Sequence, residues 1–98
     1  MPFLIETFDK PHHGEMRARV RDTHLVFLGE HKARLLACGA KLSDDGEQAS
    51  GGIYLLDVET REEAERFIAE DPFTKAGLFE RVMVLRWRKA YLDGKCFL

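Results

Sequence analysis

Two arginines and a histidine stand at Arg17, Arg21 and His24. On a helix those positions fall at i, i+4 and i+7, which is one stripe of side chains. Guanidinium groups beside an imidazole attract anions, and the imidazole can move a proton near neutral pH. Far downstream, Asp71 precedes Pro72 and Phe73. A carboxylate brought to the ring would hold its tautomer and stabilise the imidazolium as it forms. The four residues together read as an acid–base site for a small anionic molecule, with His24 and Asp71 as the catalytic pair. Arg21, within one turn of His24, is the better placed anion holder and Arg17 the second. Each residue also has a plainer reading. A histidine bordering an apolar face is often only packed, the arginines can pair with Glu15 and Asp22, and aspartate before proline often makes only a local turn.

Other residues with chemical potential are weaker candidates. His31 lies two turns beyond His24 and reads as a solvated helix residue. His12 and His13 are adjacent, so their rings point apart, and no acid triad accompanies them; no metal site is expected. Tyr54, Phe73 and Trp87 either line an aromatic pocket or pack in the core. Gly51-Gly52 opens a strand instead of a helix, which is not a phosphate loop. Cys38 reads as a buried, inert thiol and Cys96 as a free one; neither has the spacing of a metal or redox pair.

The elements that must position these residues follow from pattern. Phe3–Phe8 is rich in aromatic and branched residues and reads as a first strand. Asp9–Gly14 is a connector. Glu15–Cys38 has helical spacing, with Leu25, Leu28, Lys32, Leu35 and Leu36 facing inward and Gly39 as a C-terminal stop. Thr23 can cap a restart, so this stretch is either one helix or two. Ala40–Leu42 is a short second strand, Ser43–Gln48 a polar loop, and Ile53–Val58 a third strand. Thr60 with Glu63 forms a capping-box pattern for a second helix carrying Ala64, Phe67 and Ile68. Asp71-Pro72 ends it. Leu78–Trp87 is the last strand, and Arg88–Leu98 shows no period. The order strand, helix, strand, strand, helix, strand predicts an α+β chain with a ferredoxin-like βαββαβ antiparallel sheet.

Ninety-eight residues, 45% hydrophobic and 33% charged, fit one folded domain over 1–98 and not a disordered chain. A net charge of −2 with both signs interspersed argues against a nucleic-acid binder. No apolar run approaches a membrane span, and no basic segment precedes the first apolar stretch, so a cytoplasmic location is expected. Both faces of the sheet are apolar at the centre: Val82 and Val84 oppose Met83, Leu85 and Trp87, while Ile53 and Leu55 oppose Tyr54, Leu56 and Val58. Two helices cover only one face, which predicts a homodimer packed sheet to sheet.

Arg17–x3–Arg21–x2–His24-Leu25, Gly39, Gly52, Glu63-Ala64, Asp71-Pro72-Phe73 and Ala76-Gly77 together resemble the YciI-like (YCII-related) proteins, over about Phe3 to Tyr91. The resemblance implies a dimeric α+β barrel related in shape to muconolactone isomerase, in which a histidine–aspartate pair is the proposed catalytic centre. Most members have no known substrate; one branch eliminates chloride from chlorinated hydroxyhydroquinones. The chain departs from the pattern in two places. Gly52 stands where some relatives have serine, and Arg86 where some have proline. The expectation is a small cofactor-free enzyme, a lyase or isomerase, acting on a compact anionic or phenolic metabolite. The alternative is a non-catalytic module that binds a small molecule or a partner through the same pocket.

Overall fold

The computed structural model describes residues 1–98. The chain runs β1 (Phe3–Asp9), α1 (Gly14–Glu30), a 3-10 turn at Lys32–Arg34, β2 (Leu35–Leu42), β3 (Ala49–Leu56), α2 (Arg61–Glu70), α3 (Pro72–Lys75) and β4 (Phe79–Arg86). A small hairpin, β5 (Tyr91–Leu92) and β6 (Lys95–Cys96), ends it. The main sheet has order β2-β3-β1-β4 with every neighbouring pair antiparallel. This is the ferredoxin-like α+β arrangement anticipated from the element order. No helix is long and apolar enough to cross a membrane.

Alternation along the strands sorts the sheet into two faces. Phe3, Ile5 and Thr7 pair with Leu56, Tyr54 and Gly52, and all six are buried beneath the helices. Phe27 of α1 and Ala64, Phe67 and Ile68 of α2 complete that core. The opposite face carries Leu4, which pairs with Leu55 on one side and Leu85 on the other. Nothing in the chain covers it, and Ile53 and Leu85 are exposed there.

The helix expected over residues 15–38 stops eight residues early. Gly14–Glu30 spans 17 residues, or ~25 Å of axis, which matches the ~26 Å length of an eight-residue strand. A helix of the expected length would overshoot the sheet. Leu35–Leu42 instead pairs with β3, so its helix-favouring Leu and Ala are overridden by tertiary pairing. Gly39 lies mid-strand and caps nothing. The buried stripe of α1 is His24 and Phe27, while Leu25 is exposed. Thr23 starts no second helix, so Arg17, Arg21 and His24 stay on one element. β3 begins at Ala49 and includes Gly51-Gly52, ending two residues short of Val58.

The expected cap of α2 is present: the Thr60 hydroxyl accepts the Glu63 amide at 3.2 Å and donates to the Glu63 carboxylate at 3.1 Å. Asp71 leaves helical geometry (φ −61°, ψ 130°) before Pro72, which opens the single turn α3. The C-terminal tail, patternless by period, forms its hairpin through Asp93 and Gly94, both at positive φ.

Candidate active site

His24 enters from α1 and Asp71 from the junction of α2 and α3. His24 Nδ1 donates to Asp71 Oδ1 at 2.9 Å. Asp71 is 0% exposed, and a buried carboxylate needs donors. It has three: the imidazole, the Phe73 amide on the same Oδ1 at 2.8 Å, and the Tyr54 hydroxyl on Oδ2 at 2.9 Å. The local-turn reading of Asp71 is therefore correct, since the Phe73 bond caps α3. The same oxygen serves the turn and the imidazole.

The acceptor at Nδ1 fixes the proton there, which leaves Nε2 as the basic nitrogen. Nε2 has no protein partner and is not sealed from solvent. The ring stacks on Phe73 with centroids 4.0 Å apart and planes 19° apart, and it meets the Tyr54 ring edge-on. These three aromatic groups form one wall of a pocket of about 220 Å³. Leu25, Leu28 and Arg21 line it from α1, Cys38 and Ala40 from β2, and Gly51-Gly52 from β3.

The glycines make the floor. The Gly52 amide donates to the Thr7 hydroxyl at 2.8 Å. A side chain at Gly51 would put its Cβ 1.9 Å from the Thr7 carbonyl oxygen, while one at Gly52 would lie 3.3 Å from the Gly39 oxygen. Burial, then the charge of Asp71, pushes the Tyr54 hydroxyl well above the usual phenol range, so it remains a donor. Cys38 is neither at a helix end nor buried as a residue. Its thiol, on the pocket wall, is raised to about 11 by burial of the sulfur and then by Asp71.

The arginines separate in role. Arg17 is bound to Asp9, Nε to Oδ2 at 2.7 Å and Nη2 to Oδ1 at 3.3 Å, and its guanidinium lies over the Phe73 ring at 4.9 Å. Its ion-pair partner is Asp9 and not Glu15. Arg21 is exposed at the pocket mouth and makes no ion pair. His31 is only partly exposed: its Nδ1 bonds the Phe27 carbonyl at 2.9 Å and its ring packs on Phe27 and Phe67, and it does not line the pocket. Trp87 also lies elsewhere, its amide bonded to the Pro2 carbonyl. Tyr54 is the partner that residue pattern leaves ambiguous. Its signal is parity, because it shares the buried face of β3 with Gly52.

Fold and site together define a small ferredoxin-like α+β protein with a buried histidine–aspartate–tyrosine cluster opening on a pocket. A model of the YCII-related domain matches residues 1–88, and the chain belongs to that family. It is 31% identical to an uncharacterised protein of Haemophilus influenzae and 29% identical to Protein YciI of Escherichia coli. Each match covers 93% of this chain and all of the relative. Among solved structures it is similar to 5-chloro-2-hydroxyhydroquinone dehydrochlorinase (TftG) of Burkholderia phenoliruptrix, in complex with 2,5-dihydroxybenzoquinone. The TM-score is 0.83 with 34% identity, covering 90% of this chain and 94% of that one.

Proposed function

We propose that this protein is a small enzyme of lyase or isomerase type that performs acid–base chemistry with side chains alone on a compact oxygenated ring or related anion. The supporting observation is the 2.9 Å bond between His24 and Asp71 beside a pocket of about 220 Å³. His24 Nε2 takes a proton from a substrate hydroxyl or carbon. Asp71, held by Tyr54 and the Phe73 amide, stabilises the imidazolium that results. Elimination then expels the leaving group as an anion; isomerisation returns the proton at a second carbon. Arg21 at the mouth binds a phenolate or carboxylate oxygen. Arg17 acts at one remove, because Asp9 already occupies its fork. Similarity to a dehydrochlorinase whose structure holds a dihydroxybenzoquinone supports a ligand of that size and polarity.

The test is turnover of hydroxylated and halogenated ring compounds by the intact chain and by two variants. His24→Asn retains a donor toward Asp71 but no base, and His24→Ala retains neither. Both are expected to lose turnover by at least about a hundredfold while the chain stays folded. Turnover that survives His24→Asn refutes the mechanism. Compounds that bind and return unchanged at every pH would mark a binding module instead.

We propose also that two copies pack through the open face of the sheet. Leu4, Leu55 and Leu85 form an apolar row there, with Ile53 beside it. Sedimentation of Leu85→Glu against the unaltered chain tests this; equal masses for the two would refute it.

A further inference from the structure

The pocket beside His24 has a direction. Arg17 bonds Asp9 at the end of β1, so α1 begins at that end of the sheet and runs back toward Leu35, where β2 starts. The strands beneath it keep the same order: Ala40 lies opposite Gly52, and Cys38 lies opposite Tyr54. Residues directly opposed in an antiparallel pair share a face. Ala40 and Cys38 therefore face α1 alongside Gly52 and Tyr54. On the helix, Arg21 lies toward the Gly52 end of the pocket and Leu28 toward the Tyr54 end, ~10.5 Å further along the axis. His24 stands between them, about one turn from each.

The two ends differ in chemistry. The Gly52 end is lined by Arg21, Ala40 and glycine backbone. The Tyr54 end is lined by Leu25, Leu28, Cys38 and the Tyr54 ring, and no charged side chain reaches it. The Tyr54 hydroxyl is already engaged by Asp71 at 2.9 Å, which leaves only its ring for a ligand. The Cys38 thiol, raised to about 11 by burial and then by Asp71, stays protonated at neutral pH and behaves as a small apolar group. Leu25 is 42% exposed and Leu28 is half-buried, so both keep apolar surface that a ligand can cover. Water at this end finds no free side-chain partner other than a thiol, and an apolar group that displaces such water gains affinity.

We infer that the Leu28–Cys38 end is an apolar subsite, so that the substrate is a small ring with oxygens at one end and a short alkyl group at the other. This rests on the proposed use of the pocket and adds to it the substituent and its position. One oxygen at Arg21 and a second at His24 Nε2 place two neighbouring ring carbons toward the Gly52 end. The ring carbon opposite the first oxygen then points between Leu28 and Cys38. A 4-alkylcatechol has that pattern, whereas a 3-alkylcatechol carries its alkyl group beside an oxygen and away from the subsite. A hydroxyl or carboxylate in the subsite would lose its water without gaining a partner. Each methylene covered there is worth about fourfold in affinity.

Catechol, 3-methylcatechol and 4-methylcatechol test this, each titrated under nitrogen into the intact chain and followed by amide NMR. The 4-methyl isomer is expected to show at least about a threefold lower Kd than the other two, with the Leu28 and Cys38 amides among those that shift. Cys38→Val fills the subsite and should cut that preference below about 1.5-fold while catechol still binds. Leu28→Ala removes the facing wall and should reduce the preference too. A 4-methyl preference that survives both variants would overturn the subsite. So would equal affinities for catechol and 4-methylcatechol, or for the two methyl isomers, and each of these results would leave the ring-binding reading of the pocket intact. Failure of all three probes to bind would remove that reading and the subsite with it.

Discussion

Replacing Asp71 by alanine strands three buried donors at once: His24 Nδ1, the Tyr54 hydroxyl and the Phe73 amide, now at 2.9, 2.9 and 2.8 Å from its oxygens. Leaving one buried group unsatisfied costs ~1–3 kcal/mol, and breaking a buried charged cluster costs ~3–5 kcal/mol. The Phe73 amide is also the cap of α3, for which ~1 kcal/mol is usual. His24 and Tyr54 border the pocket, so water recovers part of the loss at two of the three. A destabilisation of ~3–5 kcal/mol is expected, against ~5–15 kcal/mol for a whole domain. Asp71→Asn behaves differently. Its amide oxygen can still accept from Phe73 and His24, and its NH2 can donate to a rotated Tyr54 hydroxyl. Only the charge is lost, and ~1–2 kcal/mol is expected. Urea unfolding reads both; with a slope of ~1–3 kcal/mol/M, the alanine variant should unfold roughly 2 M earlier at unchanged slope. A cycle with Tyr54→Phe should show ~1 kcal/mol of coupling to Asp71. Asparagine as damaging as alanine, or no coupling to Tyr54, would refute the view that one carboxylate organises all three groups.

Other perturbations sort the neighbouring residues. Arg17→Ala breaks a half-buried bidentate pair with Asp9 and is expected to cost ~1–2 kcal/mol, whereas Arg21→Ala should lie within ~0.5 kcal/mol of the parent and weaken anion binding; equal thermal shifts would contradict that division. Gly51→Ala drives a Cβ into the Thr7 carbonyl and should cost more than ~3 kcal/mol, while Gly52→Ala meets only a 3.3 Å contact and should cost less than ~1.5 kcal/mol. In Cys96→Ser, Cys38 with its thiol raised to about 11 should react with a disulfide reagent at pH 8 roughly a hundredfold slower than a free thiol of ordinary pKa near 8.5. The sign is fixed by that shift: the protonated form persists below pH 11, so the rate climbs about tenfold per pH unit toward it. A reaction as fast as that of an ordinary free thiol would refute the raised pKa of Cys38.

The parts of the fold readable in sequence were those with a local cause. Thr60 and Glu63 mark a helix start whatever surrounds them, and Asp71-Pro72 stops a helix by sterics alone. Element order then leaves few topologies. Leu35–Leu42 was not readable, because leucine and alanine carry helical preference and only pairing with β3 reverses it. The Asp9 partner of Arg17 lies across the connector, where the left-handed turn at His12 folds the chain back, and helical spacing points to Glu15 instead. The Asp93-Gly94 pair is itself a hairpin signal, but in a segment too short to show a period.

The pair of His24 and Asp71 was legible as a possibility for a reason that also limits what spacing can say. Aspartate before proline is favoured for its turn chemistry alone, and here it performs that function: Oδ1 caps α3. The second duty is visible only once α1 is laid over the α2–α3 junction, which places the imidazole against the same oxygen. The turn itself helps to hold the carboxylate that meets His24, and Tyr54 occupies the oxygen that would otherwise remain free. Under the proposed mechanism Asp71 serves a helix end and a catalytic base together, and the two roles separate only under a substitution that keeps the cap and removes the charge. Asp71→Asn should therefore stay folded while losing most of the acceleration at His24, and a variant with full turnover would reduce Asp71 to a structural turn.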